Sequence, residues 1–272
     1  MAIEARSDPK ERAQLKLPEL NFLCDAARAA GEIALRYYDG SAKVWTKPGN
    51  SPVTEADLAI DRMLHNELRT AFPGFGWVSE EIEDDGSRLT ADASFIVDPI
   101  DGTRGFIQRS DDWVISIATV MHGEPMQGVL FNPTQGELFF AGPGVPGSLE
   151  AADGQISRLQ PTFPKTLSDT VIAHSGPATL LPTMKKAPKV ASLALRLARV
   201  AQGIFDGCLV RPNAQDWDIA AADALLRSCD LAVTSLDGTL PLYNRTSMTH
   251  GALVAGPPKV REHLASLVRK NK

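Results

Sequence analysis

The chain has 272 residues, of which 43% are hydrophobic, and its formal net charge is −5. This length and composition suit one large domain or two closely packed halves with a full core. The negative charge argues against a large basic surface for nonspecific nucleic-acid binding, but it is compatible with a local pocket for one small anion.

Two helices are predicted at the start of the chain. Residues 1–16 are polar and are expected to form a mobile tail. Apolar residues then recur at helical spacing over 18–37. After a polar loop at 43–50, a second helix is predicted over about 55–71, with Thr54 as its N-cap.

The middle of the chain is rich in predicted strands. They are expected at 77–78, 95–97, 113–121, 126–131 and 137–141. The last three are joined by short turns and should form an antiparallel meander. The Gly- and Pro-rich stretch that follows, 141–149, is predicted to be an exposed loop.

The second half of the chain alternates between strands and helices. Strands are predicted at 170–173, 204–210, 231–234 and 252–255, and helices at 191–202, 219–229 and 260–270. An antiparallel sheet followed by this alternation predicts an α+β protein of layered helices and sheets. We expect one domain over 17–272, with halves at about 17–145 and 150–272.

The cysteines and the hydropathy pattern bear on the compartment. Cys24, Cys208 and Cys229 have no metal-binding spacing, and we interpret them as buried thiols. The charged N-terminus is unlike a signal peptide, and no apolar stretch reaches the length of a bilayer span. We therefore expect a cytoplasmic protein without a membrane or a nucleic acid polymer as partner.

The stretch from Asp98 to Thr103, Asp-Pro-Ile-Asp-Gly-Thr, follows a short apolar run that is predicted to be a buried strand. It places two carboxylates three residues apart where the strand ends, and Gly102 lets the backbone turn and approach a ligand. Carboxylates bind hard cations such as Mg²⁺, and a helix start attracts phosphate. The same residue types also favour an ordinary turn, so the motif alone leaves both interpretations open.

Further acidic residues favour the interpretation as a site. Glu80-Glu81 ends another apolar segment, and Asp57 begins the second predicted helix. Asp216-Trp217-Asp218 precedes a run of small residues that opens a helix. Of these, Glu81 and Asp216 are the weaker ligand candidates, because neighbours on a strand point to opposite faces and Asp favours helix starts.

Together, these segments resemble the inositol monophosphatase family of Mg²⁺-dependent, lithium-sensitive phosphatases. The matching segments are 51–57, 80–81, 98–103 and 217–221, in the family's order, and the resemblance covers about 18–270. It implies a layered α-β-α-β-α sandwich of the inositol monophosphatase and fructose-bisphosphatase type, and a homodimer. The continuation over 102–109 is similar to the branch that hydrolyses 3′-phosphoadenosine 5′-phosphate.

The resemblance also implies roles for individual residues. One Mg²⁺ would be held by Glu80, Asp98 and the Ile100 carbonyl, and a second by Asp98, Asp101 and Asp218; a third ion is left open. Thr103, oriented by Asp57, would activate the attacking water, with Glu80 also in the catalytic set. The backbone N–H groups of Gly102 and Thr103 would hold phosphate oxygens.

Three arginines are candidates for substrate binding. Arg211 stands seven residues before Asp218, where inositol-hydrolysing members of the family carry a glutamate, and a guanidinium there suits a second anionic group. Arg104 and Arg109 add positive charge after the phosphate-binding turn. All three are equally compatible with an ordinary surface position.

The function expected from the sequence is hydrolysis of a small bisphosphorylated substrate, 3′-phosphoadenosine 5′-phosphate to AMP and phosphate, by a metal-activated water. One alternative keeps the chemistry and changes the substrate to inositol monophosphate, histidinol phosphate or fructose bisphosphate. Another is a catalytically silent binding or regulatory protein, against which the intact acidic motifs argue.

Overall fold

The computed structural model describes residues 16–40, 42–47, 52–175 and 184–270, so the expected tail lies outside the described residues except for Lys16. The helices are α1 (Leu20–Tyr37), α2 (Glu55–Ala71), α3 (Thr103–Ile107), α4 (Leu193–Gln202), α5 (Asp216–Arg227) and α6 (Pro258–Lys270). The strands are β1 (Val44–Thr46), β2 (Pro52–Thr54), β3 (Gly76–Ser79), β4 (Ala93–Asp101), β5 (Val114–Met121), β6 (Glu124–Asn132), β7 (Glu137–Gly142), β8 (Val145–Glu150), β9 (Ile156–Arg158), β10 (Val171–His174), β11 (Lys185–Lys186), β12 (Gly207–Val210), β13 (Ala232–Ser235) and β14 (Leu253–Gly256).

The described strands form two large sheets and one small pair. The first sheet has seven strands in the order β3-β4-β5-β6-β7-β8-β9. The second has five strands in the order β11-β10-β12-β14-β13, and β1 pairs with β2. The antiparallel pairing of β5, β6 and β7 confirms the predicted meander.

Helices cover both sheets and fill the space between them. One apolar cluster joins α1 and α2 to the first sheet, and another joins α4 and α5 to both sheets. The helix α6 packs on the outer face of the second sheet. The resulting α-β-α-β-α layering confirms the predicted fold class. None of the described helices is long and apolar enough to cross a membrane.

Alternation along β4 determines which side chains face the middle helices. Phe95 and Val97 pack in the cluster with α1 and α2, whereas Ile96 packs in the cluster with α4 and α5. Because successive side chains of a strand point to opposite faces, Asp98 lies on the same face as Ile96. The first acidic motif is thereby placed in the layer between the two sheets.

The prediction of an exposed loop at 141–149 was wrong. Residues 145–150 form β8, which pairs with β7 and β9. A Cβ on Gly147 would lie 2.5 Å from the Ser228 hydroxyl oxygen and 2.9 Å from the Cys229 sulfur. This glycine therefore permits close packing of the strand against the segment after α5. A prediction from composition interprets the same glycine as a sign of a loop.

Other boundaries also differ from the predicted ones. Part of the expected loop at 43–50 is strand β1. The first sheet continues to Arg158, beyond the expected end of the first half near 145. The helix α5 begins at Asp216 rather than at 219. Its first turn therefore contains Asp216 and Asp218, the acidic residues of the segment 216–218, which we call the second motif.

Candidate active site

The first acidic motif lies where β4 ends and the chain turns into α3. Asp98 and Asp101 are 1% and 6% exposed, and the pairing of β4 with β5 is irregular between them. The Asp98 carboxylate accepts a hydrogen bond from the Ile100 backbone N–H at 3.0 Å. Gly102 follows with a φ of +98°, and Thr103 begins α3. The turn therefore keeps both carboxylates at one end of the strand.

Asp101 is held by the N-terminus of α4. Its Oδ2 accepts hydrogen bonds from the Ser192 hydroxyl at 2.5 Å and from the Ala194 backbone N–H at 2.6 Å. Helix N-termini stabilise negative charge, so these contacts favour the ionised carboxylate. Gly102 permits the close approach, since a Cβ there would lie 2.8 Å from the Asp112 carbonyl oxygen.

The third carboxylate, that of Asp218, comes from the first turn of α5. Its Oδ2 accepts a hydrogen bond from the Gln215 backbone N–H at 2.7 Å, as in a capping box. Oxygens of Asp98, Asp101 and Asp218 all lie within 4.8 Å of one another. The structure thus brings together three of the residues that are predicted from the sequence to be metal ligands.

The Asp57 carboxylate lies next to the Thr103 hydroxyl, at the end of the strand that carries Asp98 and Asp101. The Thr103 hydroxyl oxygen lies 3.2 Å from the Ile100 carbonyl oxygen and 3.5 Å from Asp57 Oδ1. The other Asp57 oxygen accepts hydrogen bonds from the backbone N–H and hydroxyl of Thr54, at 2.7 and 2.5 Å. These contacts at the start of α2 fix the orientation of Asp57, with Oδ1 nearest the Thr103 hydroxyl.

Lys47 brings a positive charge to the acidic pair after β3. Its ammonium nitrogen lies 3.1 Å from Glu80 Oε1 and 2.6 Å from Glu81 Oε1. The Glu81 side chain is only 4% exposed, and it is Glu80 that lines the cavity beside Asp98. The structure therefore places Glu80, and not Glu81, at the candidate site.

Burial and mutual repulsion raise the pKa values of the clustered carboxyls. Burial, followed by the charges of Glu80 and Asp101, raises the pKa of Asp98 well above its usual range. Burial and then Asp101 raise the pKa of Asp218 to about 8, and burial raises that of Asp57 to about 6. A divalent cation would compensate this charge, and Mg²⁺ prefers carboxylate oxygens. The donor set therefore fits such a metal.

We call Asp98, Asp101 and Asp218 the acidic cluster. The acidic cluster lines a cavity of about 550 Å³ that also has basic lining residues. Lys186, Lys189 and Arg196 line it, and we call these three residues the basic wall. His174 also lines the cavity, and burial, followed by the charges of Lys186 and Arg196, lowers its pKa. One cavity therefore presents carboxylates and cations to the same ligand.

The three arginines predicted to bind substrate are in different places. Arg104 lines the cavity. The Arg109 guanidinium donates a hydrogen bond to the Asp39 carbonyl oxygen, and Arg109 is not among the lining residues. Arg211 lines a separate depression of about 160 Å³ that shares Arg196 with the cavity. The geometry supports a substrate contact for Arg104 and does not bring Arg109 or Arg211 to the cavity.

Arg196 is a cavity-lining residue that was not predicted from the sequence. It lies in the first turns of α4, where it donates hydrogen bonds to the Ser175 hydroxyl at 2.9 Å and to the Ser192 carbonyl oxygen at 3.2 Å. A positive side chain near a helix N-terminus is unfavourable, because that end of the helix dipole is also positive. An arginine at such a position is therefore a sequence signal for an anionic partner. That signal was available once a helix had been predicted over 191–202.

The second motif contains one residue with a structural role. Asp216 is fully buried, and its oxygens bind the His250 ring nitrogen and the Asn244 backbone N–H, both at 2.7 Å. It begins α5 and is not among the residues that line the cavity. This agrees with its interpretation as a helix-start residue.

Comparisons with known proteins match this architecture. The family model of the inositol monophosphatase family matches residues 16–272. The Nus factor SuhB of Escherichia coli K12 is 28% identical over 269 residues, covering 93% of this chain and 96% of the relative. The 3′(2′),5′-bisphosphate nucleotidase CysQ of Shigella flexneri is 36% identical over 128 residues, covering 46% of this chain and 52% of the relative.

The fold is also that of a solved relative. The structure of extragenic suppressor protein SuhB from Bartonella henselae matches with a TM-score of 0.80 at 28% identity, covering 93% of this chain and 98% of that one. The likeness supports the layered sandwich expected from the resemblance. The chain therefore belongs to the inositol monophosphatase family, whose members are phosphatases, and is a phosphoric monoester hydrolase.

Proposed function

We propose that this protein removes one phosphate from a small bisphosphorylated substrate, with 3′-phosphoadenosine 5′-phosphate, giving AMP and phosphate, as the leading candidate. The observation that carries the proposal is the basic wall, which lines the same cavity as the acidic cluster. The phosphate that is cleaved would bind beside the carboxylates and the metal ions that they hold. A second phosphate on the same molecule would pair with the basic wall.

The family is Mg²⁺-dependent, and the acidic cluster can hold such ions. The proposed ligands are Glu80, Asp98 and the Ile100 carbonyl for one ion, and Asp98, Asp101 and Asp218 for another. When bound, Mg²⁺ supplies charge compensation for the phosphate and lowers the pKa of a water. The segment after β3, the strand β4 and the helix α5 contribute these ligands, so the site is complete only when the elements are packed together.

The residues of the chain itself would orient the substrate and accept the proton. The backbone N–H groups of Gly102 and Thr103 hold phosphate oxygens. Water attacks phosphorus and the bond to the ester oxygen breaks, so that the leaving group departs as an alkoxide and takes a proton from solvent to give the alcohol. The proton of the attacking water passes to the Thr103 hydroxyl as its own proton moves to Asp57, whose oxygen lies 3.5 Å away. The raised pKa of Asp57, about 6, makes this carboxylate a suitable acceptor.

A second candidate substrate is inositol monophosphate. The inositol monophosphatase family model covers residues 16–272, whereas the match to the bisphosphate nucleotidase covers 46% of this chain. In that case Arg104 and the basic wall would face solvent and the inositol hydroxyls. The two candidates differ in one measurable quantity, the ratio of kcat/KM for the two substrates.

Replacing Arg196 by Met is expected to lower kcat/KM for 3′-phosphoadenosine 5′-phosphate by about 10- to 100-fold, because a charge-assisted hydrogen bond contributes about 1.5–3 kcal/mol. The value for inositol 1-phosphate should change much less. Phosphate release from both esters, with and without Mg²⁺, measures this. The matched control is Arg211→Met, which removes a guanidinium that does not line the cavity.

Three outcomes would contradict parts of the proposal. A wild-type preference for inositol monophosphate would reject the bisphosphate substrate. Equal losses for both esters in the Arg196 variant would reject the basic wall as the selector. Absence of phosphate release from every ester tested, with Mg²⁺ present, would favour a catalytically silent regulatory protein.

Lithium at millimolar concentration is expected to inhibit the enzyme. Hard oxygen ligands that accept Mg²⁺ can also admit a small monovalent ion, and the resemblance to the family implies this inhibition. Rates of phosphate release in lithium chloride and in sodium chloride at equal ionic strength measure the effect. Identical rates in the two salts would argue against it.

A further inference from the structure

The segment 244–250 docks along the start of α5. The Asp216 backbone N–H donates to the Met248 carbonyl oxygen at 2.9 Å, and the His250 N–H donates to the Ala214 carbonyl oxygen at 2.8 Å. An isolated antiparallel bridge lies between the two segments. The first turn of α5, which carries Asp218, is thus fixed from outside the helix as well as from within.

The Asp216 side chain adds two contacts to this docking. Its Oδ1 lies 2.7 Å from His250 Nε2, and its Oδ2 accepts a hydrogen bond from the Asn244 backbone N–H at 2.7 Å. Asp216 is fully buried and begins the helix two residues before Asp218. Both of its oxygens are therefore occupied by the docked segment.

Asn244 extends the same connection to the strand that bears the other carboxylates. Its side-chain oxygen accepts from the Arg88 guanidinium at 2.8 Å, and its amide nitrogen donates to the Ser94 hydroxyl at 3.0 Å. Ser94 belongs to β4, which ends at Asp101. Asn244 has a φ of +53°, a left-handed conformation that asparagine tolerates better than most residues. It therefore ties β4 to α5 through Asp216.

We propose that Asn244 and His250 are positioning residues that, through Asp216, set the place of Asp218 relative to Asp98 and Asp101, and thereby the affinity for Mg²⁺. The inference rests on the metal site of the proposed function. Direct hydrogen-bond partners of metal ligands orient them in this way, and their loss typically weakens metal binding about 10- to 100-fold. Asn244 and His250 act one step further from the metal, by holding Asp216 in the helix turn that carries Asp218. Neither Asn244 nor His250 is among the residues lining the cavity, so their effect reaches the metal through the ligand alone.

Two substitutions test this, and each keeps part of the native contacts. His250→Phe removes the nitrogen bonded to Asp216 but keeps a ring against Tyr243, whose centroid lies 5.7 Å away. Asn244→Gly keeps the left-handed backbone and the N–H bonded to Asp216, and removes the side-chain contacts to Arg88 and Ser94. We expect at least one Mg²⁺-binding event to weaken by about tenfold or more in each variant.

The measurements are calorimetric titration of the purified proteins with Mg²⁺ and detection of bound Mn²⁺ by electron paramagnetic resonance. Kinetically, the Mg²⁺ concentration for half-maximal rate should rise about tenfold, while kcat at saturating Mg²⁺ changes little. The matched control is Tyr243→Phe, which removes a buried hydrogen bond of 2.9 Å from the residue just before the segment to Asp223, farther along α5. It should leave the metal affinity unchanged.

The outcomes separate this inference from the proposed function. A wild-type protein that binds neither Mg²⁺ nor Mn²⁺ overturns the metal site, and this inference with it. A wild-type protein that binds the ions, beside variants with unchanged affinity, overturns this inference alone, as does an equal loss in Tyr243→Phe. If Asn244→Gly melts below the assay temperature, His250→Phe decides the result, since it retains the ring contact.

Discussion

Replacing Asp98 by Asn is expected to lower kcat by about 1,000-fold or more while raising the melting temperature of the metal-free protein. Asp98 belongs to both proposed ligand sets, and the loss of several kcal/mol of transition-state charge stabilisation corresponds to about this factor. In the metal-free protein the same carboxylate is buried beside Glu80, Asp101 and Asp218, whose charges raise its pKa. Its neutralisation therefore removes repulsion.

The opposite signs of the two effects distinguish this result from simple misfolding. Phosphate release gives kcat, and calorimetry in a chelator gives the melting temperature. The matched control is Asp61→Asn, another buried carboxyl with a raised pKa, about 7, which accepts a hydrogen bond from Ser79 and is not among the cavity-lining residues. It should keep kcat within a few-fold of the wild type. Near-normal turnover in Asp98→Asn would contradict the two-metal arrangement.

In the absence of metal, the free energy of unfolding of the protein is expected to fall progressively as the pH rises from about 4 to about 8. Burial and neighbouring carboxylates raise the folded-state pKa of Asp57 to about 6 and that of Asp218 to about 8. An unfolded Asp titrates near 3.9, so between these values the folded state binds more protons than the unfolded one. Stability is then fully present below the unfolded pKa and is lost as pH rises through the folded values.

The expected loss is on the order of 5 kcal/mol, or on the order of 10 °C in melting temperature. Calorimetric scans at several pH values, in chelator and in excess Mg²⁺, measure it. Mg²⁺ binds the ionised carboxylates of the folded state, so it should flatten the dependence and separate the two curves most at high pH. If the melting temperature has the same pH dependence with and without Mg²⁺, the carboxylates do not repel one another in the metal-free protein.

The grouping of the acidic residues was predictable where it depends on local sequence. A buried strand that ends in two aspartates, a glycine with positive φ and a helix start are all encoded within the ten residues around Asp98. The capping pattern around Asp218 is equally local. These patterns need no knowledge of the rest of the chain, because turn and helix-start preferences are set by neighbouring residues.

The substrate side of the cavity was not predictable in the same way. Arg211 was chosen because of its spacing from Asp218, but it lies on an adjacent depression, and Arg196 lines the cavity instead. Which of the two arginines lines the cavity depends on how α4 packs between the sheets, and sequence spacing carries little information on such packing. The strand β8 was missed for a related reason, since Gly147 is explained only by its contact with residues 228 and 229.

The packing of α4 and α5 against β4 has a consequence for the folding pathway. Asp101 accepts hydrogen bonds from the start of α4, and Asp218 comes from the start of α5, so the cluster forms only when both helices dock on the strand. These contacts join distant parts of the chain and are expected to form late in folding. Without a cation, docking also has to overcome carboxylate repulsion. Mg²⁺ should therefore act on the final step, by slowing undocking of the middle helices rather than by speeding the initial collapse.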